Sequence, residues 1–301
     1  LAPSSGFFSM AVNVSESIAG PAISRFEPVR KSHRLKAAHN FSPYAFNAAG
    51  VSNPGSVVKL TSRAGLRDGK ASWQKTKLKI EFSSFAAPSF VRDSTDPVPD
   101  LVVSDSNGQI HYFKHKKSDF RVWEEQTTFF ADRIMPGPAC TPAMAEMGEN
   151  PCLITGNING ELKLFEFRPN TDVLPWVEKT DFFKGIKLSG FSKGIVTMWR
   201  GRYLLITGQQ DGPVRAFLNT GTEARPVWTE QKDFFKGVPK TLHASPVVFD
   251  LDGDGTWELI LGDVDGRVIA YRMRNVSDGR PSWEKIEGVF DAVRADRYAS
   301  P

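Results

Sequence analysis

The chain has 301 residues and a mass of 33.4 kDa, enough for two ordinary domains or one large β domain. With 40% apolar and 24% charged residues it has the composition of a soluble globular protein, and no apolar run reaches the roughly 18–20 residues a membrane-spanning helix needs. The net charge of +4 is mild, and no nucleic-acid motif accompanies the Lys and Arg clusters, which excludes a nucleic-acid-binding class.

The chain opens at Leu1, with neither an initiator Met nor the basic-then-apolar pattern of a signal peptide. The expectation is a removed leader or a longer parent chain. A weak turn signal follows at Gly6, in PSSGFFSMAV, and another at Gly55, in SNPGSVVKL. Between them lies the clearest basic cluster, RKSHRLKAAH, residues 30–39. Its Arg30, Lys31, Arg34 and Lys36, with Lys114, Lys116 and Lys117 of KHKK, read as solvated surface or as contacts to an acidic protein partner.

From residue 83 onward a repeat is plain. A Gly closes a polar turn in SDSNG, GNING, GQQDG and GDVDG, at Gly108, Gly160, Gly212 and Gly266, spaced 52, 52 and 54 residues apart. Asn-Gly and Asp-Gly between alternating apolar runs form tight hairpins, because both positions tolerate positive φ. An apolar run precedes each turn (DLVV, CLIT, LLIT, ELILG) and an alternating run follows it (QIHYF, ELKLF, PVRAF, RVIAY). A tryptophan then recurs at Trp73, Trp123, Trp176, Trp228 and Trp283. After three of these comes a Phe pair: Phe129–Phe130, Phe182–Phe183 and Phe234–Phe235. Trp199 and Trp257 stand outside the series.

One unit therefore reads as four short strands, SPVVFD, WELILG, RVIAYR and SWEKI. Four strands per unit at this period is the mark of a β-propeller, in which stacked blades bury each other's faces. The repeat predicts an all-β fold, one domain over residues 1–301, with six blades, or seven if the chain is incomplete. RADRYASP at the C-terminus matches KTLHASP, which leads into a blade, so the terminal unit is expected to draw on both chain ends. The Trp and Phe series is expected in the packing between blades. Cys140 and Cys152 are expected as free buried thiols.

The densest acidic stretch is FDLDGDGTWELILGDVDG, residues 249–266. Asp250, Asp252 and Asp254 alternate like the start of an EF-hand loop, but position twelve is Leu261 and the flanks are strand-like, so an EF-hand is excluded. An acidic loop between two strands remains, with a carboxylate at Glu258.

The unit that contains it resembles the FG-GAP, or VCBS, repeat of integrin-α-like β-propellers, through Phe235, Gly237, Ser245, Pro246 and the Asp-x-Asp-x-Asp-Gly loop. The match is strong over 235–283, moderate over 83–235 and weak over 1–82. The resemblance implies one structural Ca2+, held by Asp250, Asp252, Asp254, the Thr256 carbonyl and Glu258. The chemistry agrees with that carry-over, since four carboxylates held close repel one another unless a hard cation with oxygen ligands joins them. The other units have lost the set: in RDSTDPVPD only Asp96 and Asp100 are kept.

No catalytic constellation is present. His33, His39, His111, His115 and His243 show no metal spacing, and there is no nucleophile elbow or phosphate loop. The expectation is a non-catalytic, calcium-stabilised interaction scaffold in a secreted, periplasmic or cell-surface setting. A lectin-like glycan binder is the first alternative and a propeller enzyme, such as a polysaccharide lyase, the second.

Overall fold

A computed structural model describes residues 8–13, 35–36, 44–45, 55–62, 73–82, 86–93, 100–105, 107–116, 119–127, 129–130, 134, 136–148, 150–168, 175–251, 254–277, 280–291, 293 and 299–300. Among these every regular element is a strand, and there is no helix. The first are β1 (Phe8–Asn13), β2 (Leu35–Lys36), β3 (Tyr44–Ala45), β4 (Gly55–Ser62) and β5 (Trp73–Phe82).

Four antiparallel meanders of four strands follow in strict chain order, as the repeat predicts. Blade I comprises β6 (Ala86–Asp93), β7 (Asp100–Asp105), β8 (Ile110–Lys116) and β9 (Asp119–Glu125). Blade II holds β10 (Thr141–Met147), β11 (Asn150–Gly156), β12 (Leu162–Phe167) and β13 (Trp176–Glu178). Blade III is β14 (Lys193–Trp199), β15 (Arg202–Gly208), β16 (Arg215–Asn219) and β17 (Trp228–Glu230). Blade IV is β18 (Ser245–Phe249), β19 (Glu258–Gly262), β20 (Val268–Ser277) and β21 (Arg280–Ile286), and β22 (Ala299–Ser300) ends the series. The arrangement is that of a β-propeller.

The described residues hold four blades, not six. The sequence places β1 and β4 in successive units, since each follows a recurrent Gly, although Gly6 itself lies outside the described residues. Instead β1 pairs antiparallel with β4, from Phe8 opposite Ser62 to Asn13 opposite Val57, and with β5 they make a three-stranded sheet. The sequence before Gly55 lacks an apolar run like the DLVV and LLIT that supply second strands elsewhere, so β1 takes that place beside β4. Segments from both halves of the chain also meet at blade I. There β22 pairs with β3 through Ala299 and Ala45, and Ala45 in turn stands opposite Ala86 of β6.

Within each blade the second strand is the most deeply placed. Every residue of β19 is buried, and β7, β11 and β15 carry unbroken buried runs such as Leu204 to Gly208. A strand covered on both faces has no solvent side to keep polar, which is why these four read as continuous apolar runs rather than alternating ones. Two glycines mark where blades meet. A Cβ on Gly156 would stand 1.9 Å from the carbonyl oxygen of Ser192, and one on Gly208 equally close to that of Ala244.

The recurrent tryptophans join consecutive blades. Trp176 Nε1 donates to the Phe129 carbonyl at 3.1 Å, Trp228 Nε1 to Phe182 at 2.8 Å and Trp283 Nε1 to Phe234 at 2.8 Å. The second Phe of each pair packs on the same indole, with ring centroids 5.2, 5.7 and 5.4 Å apart. Trp123 departs from the pattern. Nothing like a Phe pair stands in the preceding repeat; Ile80 shares its cluster instead, and its buried Nε1 makes no hydrogen bond.

Cys140 and Cys152 are free and buried, as expected. Burial pushes the Cys152 thiol up to about 12, and the Cys140 thiol up further. Both are packing residues rather than nucleophiles.

Candidate metal loop and the surface around it

The acidic loop connects β18 to β19 at one end of blade IV. Asp250 organises it: Oδ1 accepts the Asp254 N–H at 3.1 Å, and Oδ2 accepts that of Gly255 at 2.9 Å. Asp254 Oδ1 accepts the Thr256 N–H at 2.7 Å. Gly255 adopts φ of +86°, the left-handed turn that lets the chain fold back on Asp250. Asp252 lies outside the described residues.

Glu258 is placed differently from its loop neighbours. It is fully buried; Oε2 accepts the Leu251 N–H at 2.8 Å, and Oε1 accepts Arg272 Nε–H at 2.9 Å. The first residue of the second strand is in fact polar in every blade. In blade I, Asp100 accepts the Tyr112 hydroxyl and lies 3.2 Å from His115 Nδ1. In blade III, Arg202 Nη1 donates to the Asn219 carbonyl at 3.3 Å, and in blade II Asn150 Nδ2 reaches Glu166 at 3.5 Å. Each ties its strand to the next one in the blade. Glu258 and Asp100 therefore have an internal partner that the loop motif alone does not reveal.

These contacts divide the expected ligand set. Asp250, Asp254 and Thr256 share one tight loop and offer the oxygen donors that a hard cation takes. Glu258 is shared with a guanidinium. Among the described residues no three His, Cys, Asp or Glu side chains come together in a metal-holding group.

The basic candidates are dispersed. Arg30, Lys31, Arg34 and Lys117 lie outside the described residues, as does Asp96, and Lys36 is described only as a strand position opposite Arg92. Lys114 Nζ stands 4.0 Å from Asp100, and Lys116 Nζ 3.3 Å from Glu124. Both charges answer carboxylates of their own blade.

The structure instead brings together two residues the repeat had left aside. Trp199, at the end of β14, and Trp257, just before β19, lie with ring centroids 5.0 Å apart across the boundary of blades III and IV. Both are half-buried, and neither indole N–H donates within the protein, unlike those of Trp176, Trp228 and Trp283. The exposed Arg200 guanidinium lies 5.5 Å from the Trp199 ring centre. The only sequence signal was negative: both tryptophans break the spacing of the series.

At the opposite end of the blades, the loops entering blades III and IV are each bonded to the preceding blade's hairpin. Phe191 N–H donates to Ile158 O at 3.1 Å, and His243 N–H to Gln210 O at 2.8 Å. Ala139, Phe191 and His243, each two residues before a first strand, all hold positive φ there. Left-handed backbone at a non-glycine residue is costly, and it persists only where surrounding contacts fix it.

Two cavities occupy equivalent positions in blades I and IV. The first, about 420 Å³, is lined by Gln109, His111, Tyr112, Glu125, Gln126 and Phe130, with His111 Nδ1 2.6 Å from Glu125 Oε1. The second, about 330 Å³, lies among Arg267, Ile269, Lys285, Phe290 and Asp291.

No protein-family model matches this chain, and no curated protein matches it either.

Proposed function

We propose that the protein is a non-catalytic β-propeller that holds another protein in an extracytoplasmic assembly, with one structural Ca2+ in the loop from Asp250 to Glu258. The observation that carries this reading is where the large exposed apolar side chains lie. Ile158 (38% exposed) and Leu242 (53%) stand at one end of the blades, Met198 (46%) and Val227 (57%) at the other. The broad blade faces are used in stacking, so these ends are the surfaces left for a partner. Apolar and aromatic side chains set among polar ones are what protein contacts use.

Membership of the FG-GAP or VCBS repeat group and a secreted, periplasmic or cell-surface location belong to the same proposal. They are supported by the landmarks at Phe235, Gly237, Ser245 and Pro246 and by the acidic loop. The test is the mass of the native particle by light scattering, with and without a calcium chelator. A mass well above 33.4 kDa is expected, and a monomer in both conditions would overturn the scaffold reading.

A second reading, glycan binding, draws on the blade I cavity. Amide side chains, His111 and Glu125 beside aromatic walls can serve vicinal hydroxyls. A glycan array separates the two.

A further inference from the structure

Charge at the Trp199–Trp257 end is unusual in one respect. Nine arginines have described side chains, and five are ion-paired: Arg168 with Glu166, Arg215 with Glu230, Arg267 with Asp263, Arg272 with Glu258 and Arg274 with Glu284. The other four, Arg200, Arg202, Arg225 and Arg280, have no carboxylate partner. All four are exposed, and all lie at the same end of blades III and IV. Arg200 and Arg202 flank the turn between β14 and β15, Arg225 lies in the loop before β17, and Arg280 opens β21.

Among the described residues, Glu223, Asp250 and Asp254 at this end are engaged elsewhere. Glu223 accepts the Tyr203 hydroxyl at 2.9 Å, and Asp250 and Asp254 accept their own loop's N–H groups. The same end carries Met198, Val227 and the two indoles without internal acceptors. Trp, Arg and Met around an apolar centre are the side chains that dominate protein contacts, and indole N–H groups seek carbonyl acceptors.

We propose that this end of blades III and IV docks an acidic segment of polypeptide. Its carboxylates would pair with Arg200, Arg202 and Arg225, and its backbone carbonyls would accept from Trp199 and Trp257. The occupant is argued from charge complementarity, and the proposal rests on the scaffold reading above. It moves the contact away from the Lys- and Arg-rich stretches that the sequence offered.

The experiment uses the full chain and a fluorescein-labelled peptide rich in Glu and Leu, with its Gln counterpart and heparin as controls. Anisotropy is expected to show binding of the Glu peptide only. Arg200→Glu combined with Arg225→Glu should weaken it by at least roughly tenfold, at an unchanged urea midpoint, because both side chains are solvent-facing. Trp257→Phe should weaken it as well. Equal binding by the charge-reversed protein, binding of heparin but not the peptide, or no peptide binding would each overturn the proposal. The native particle keeps this outcome separate from the scaffold reading. An assembly that survives the charge reversal overturns this surface alone, whereas a monomeric native protein overturns the scaffold itself.

Discussion

Trp283 and Phe234 are 49 residues apart in the chain and 2.8 Å apart in space, indole nitrogen to carbonyl oxygen. The bond ties the outermost strand of blade IV to the loop that leaves blade III. Replacing Trp283 by Phe leaves that carbonyl without its donor and empties part of the indole's site. A loss of about 2–4 kcal/mol is expected, read as a lower urea midpoint at unchanged slope. Trp123→Phe is the control. Its buried N–H has no acceptor, so the change should stay within about 1 kcal/mol of the parent.

Two glycines in blades III and IV should respond oppositely to what their backbone angles suggest. Gly208 has ordinary backbone angles, yet a Cβ there would lie 1.9 Å from the Ala244 carbonyl oxygen. Gly208→Ala forces the blades apart and should cost about 3 kcal/mol or more. Gly255 has positive φ but open space around it, so Gly255→Ala should cost only about 1–2 kcal/mol. Thermal melts of the two variants in chelator compare them directly.

The acidic loop yields a paired prediction. If Ca2+ binds with an affinity near 10⁻⁴ M, about 1 mM of it adds roughly 1.4 kcal/mol to stability. Asp250→Asn should abolish that increment. Glu258→Gln should instead lower stability even in chelator, by roughly 3–5 kcal/mol, because Arg272 loses its buried partner. A Glu258→Gln protein with unchanged melting in chelator would show that the ion pair contributes nothing.

Lys193 is buried at the start of blade III, with Nζ 3.0 Å from Ser245 Oγ, and burial holds its pKa well below the ordinary 10.5. The folded protein therefore carries fewer protons on this group than the unfolded chain between the lowered folded value and 10.5. Stability should rise with pH across that window and lose this contribution as pH falls. Lys193→Met removes the slope and raises the urea midpoint at neutral pH. An unchanged slope in the variant would show that another group produces it.

The blades were legible because two signals coincide at one period: Asn-Gly or Asp-Gly turns between apolar runs, and the Trp with its Phe pair. Their purpose was less legible. The spacing of Trp228 and Phe182 fits any inter-blade packing, and only the fold shows an indole nitrogen reaching a carbonyl in the preceding repeat. The pairing of β1 with β4 was hidden because the weak early turns specify strands without specifying neighbours. Glu258 looked like a loop residue because its partner, Arg272, is set by the register of β19 against β20. Register also decides which arginines are neutralised: Arg215 meets Glu230 and Arg274 meets Glu284 across adjacent strands, while Arg200 and Arg225 lie in turns, outside any strand register. Trp199 and Trp257 belong to different blades, so nothing in their sequence distance foretells contact.

The Trp-to-Phe bonds also have a direction in time. In all three, the carbonyl lies 46 to 49 residues ahead of the indole that needs it. A ribosome therefore always delivers the acceptor first, and each outer strand emerges onto a neighbour already able to receive it. Losing residues from the C-terminus removes blades one at a time and leaves the earlier indoles satisfied. Losing them from the N-terminus strands an indole at the new beginning. Growth of the ring is thus ordered by synthesis itself, one blade serving as template for the next.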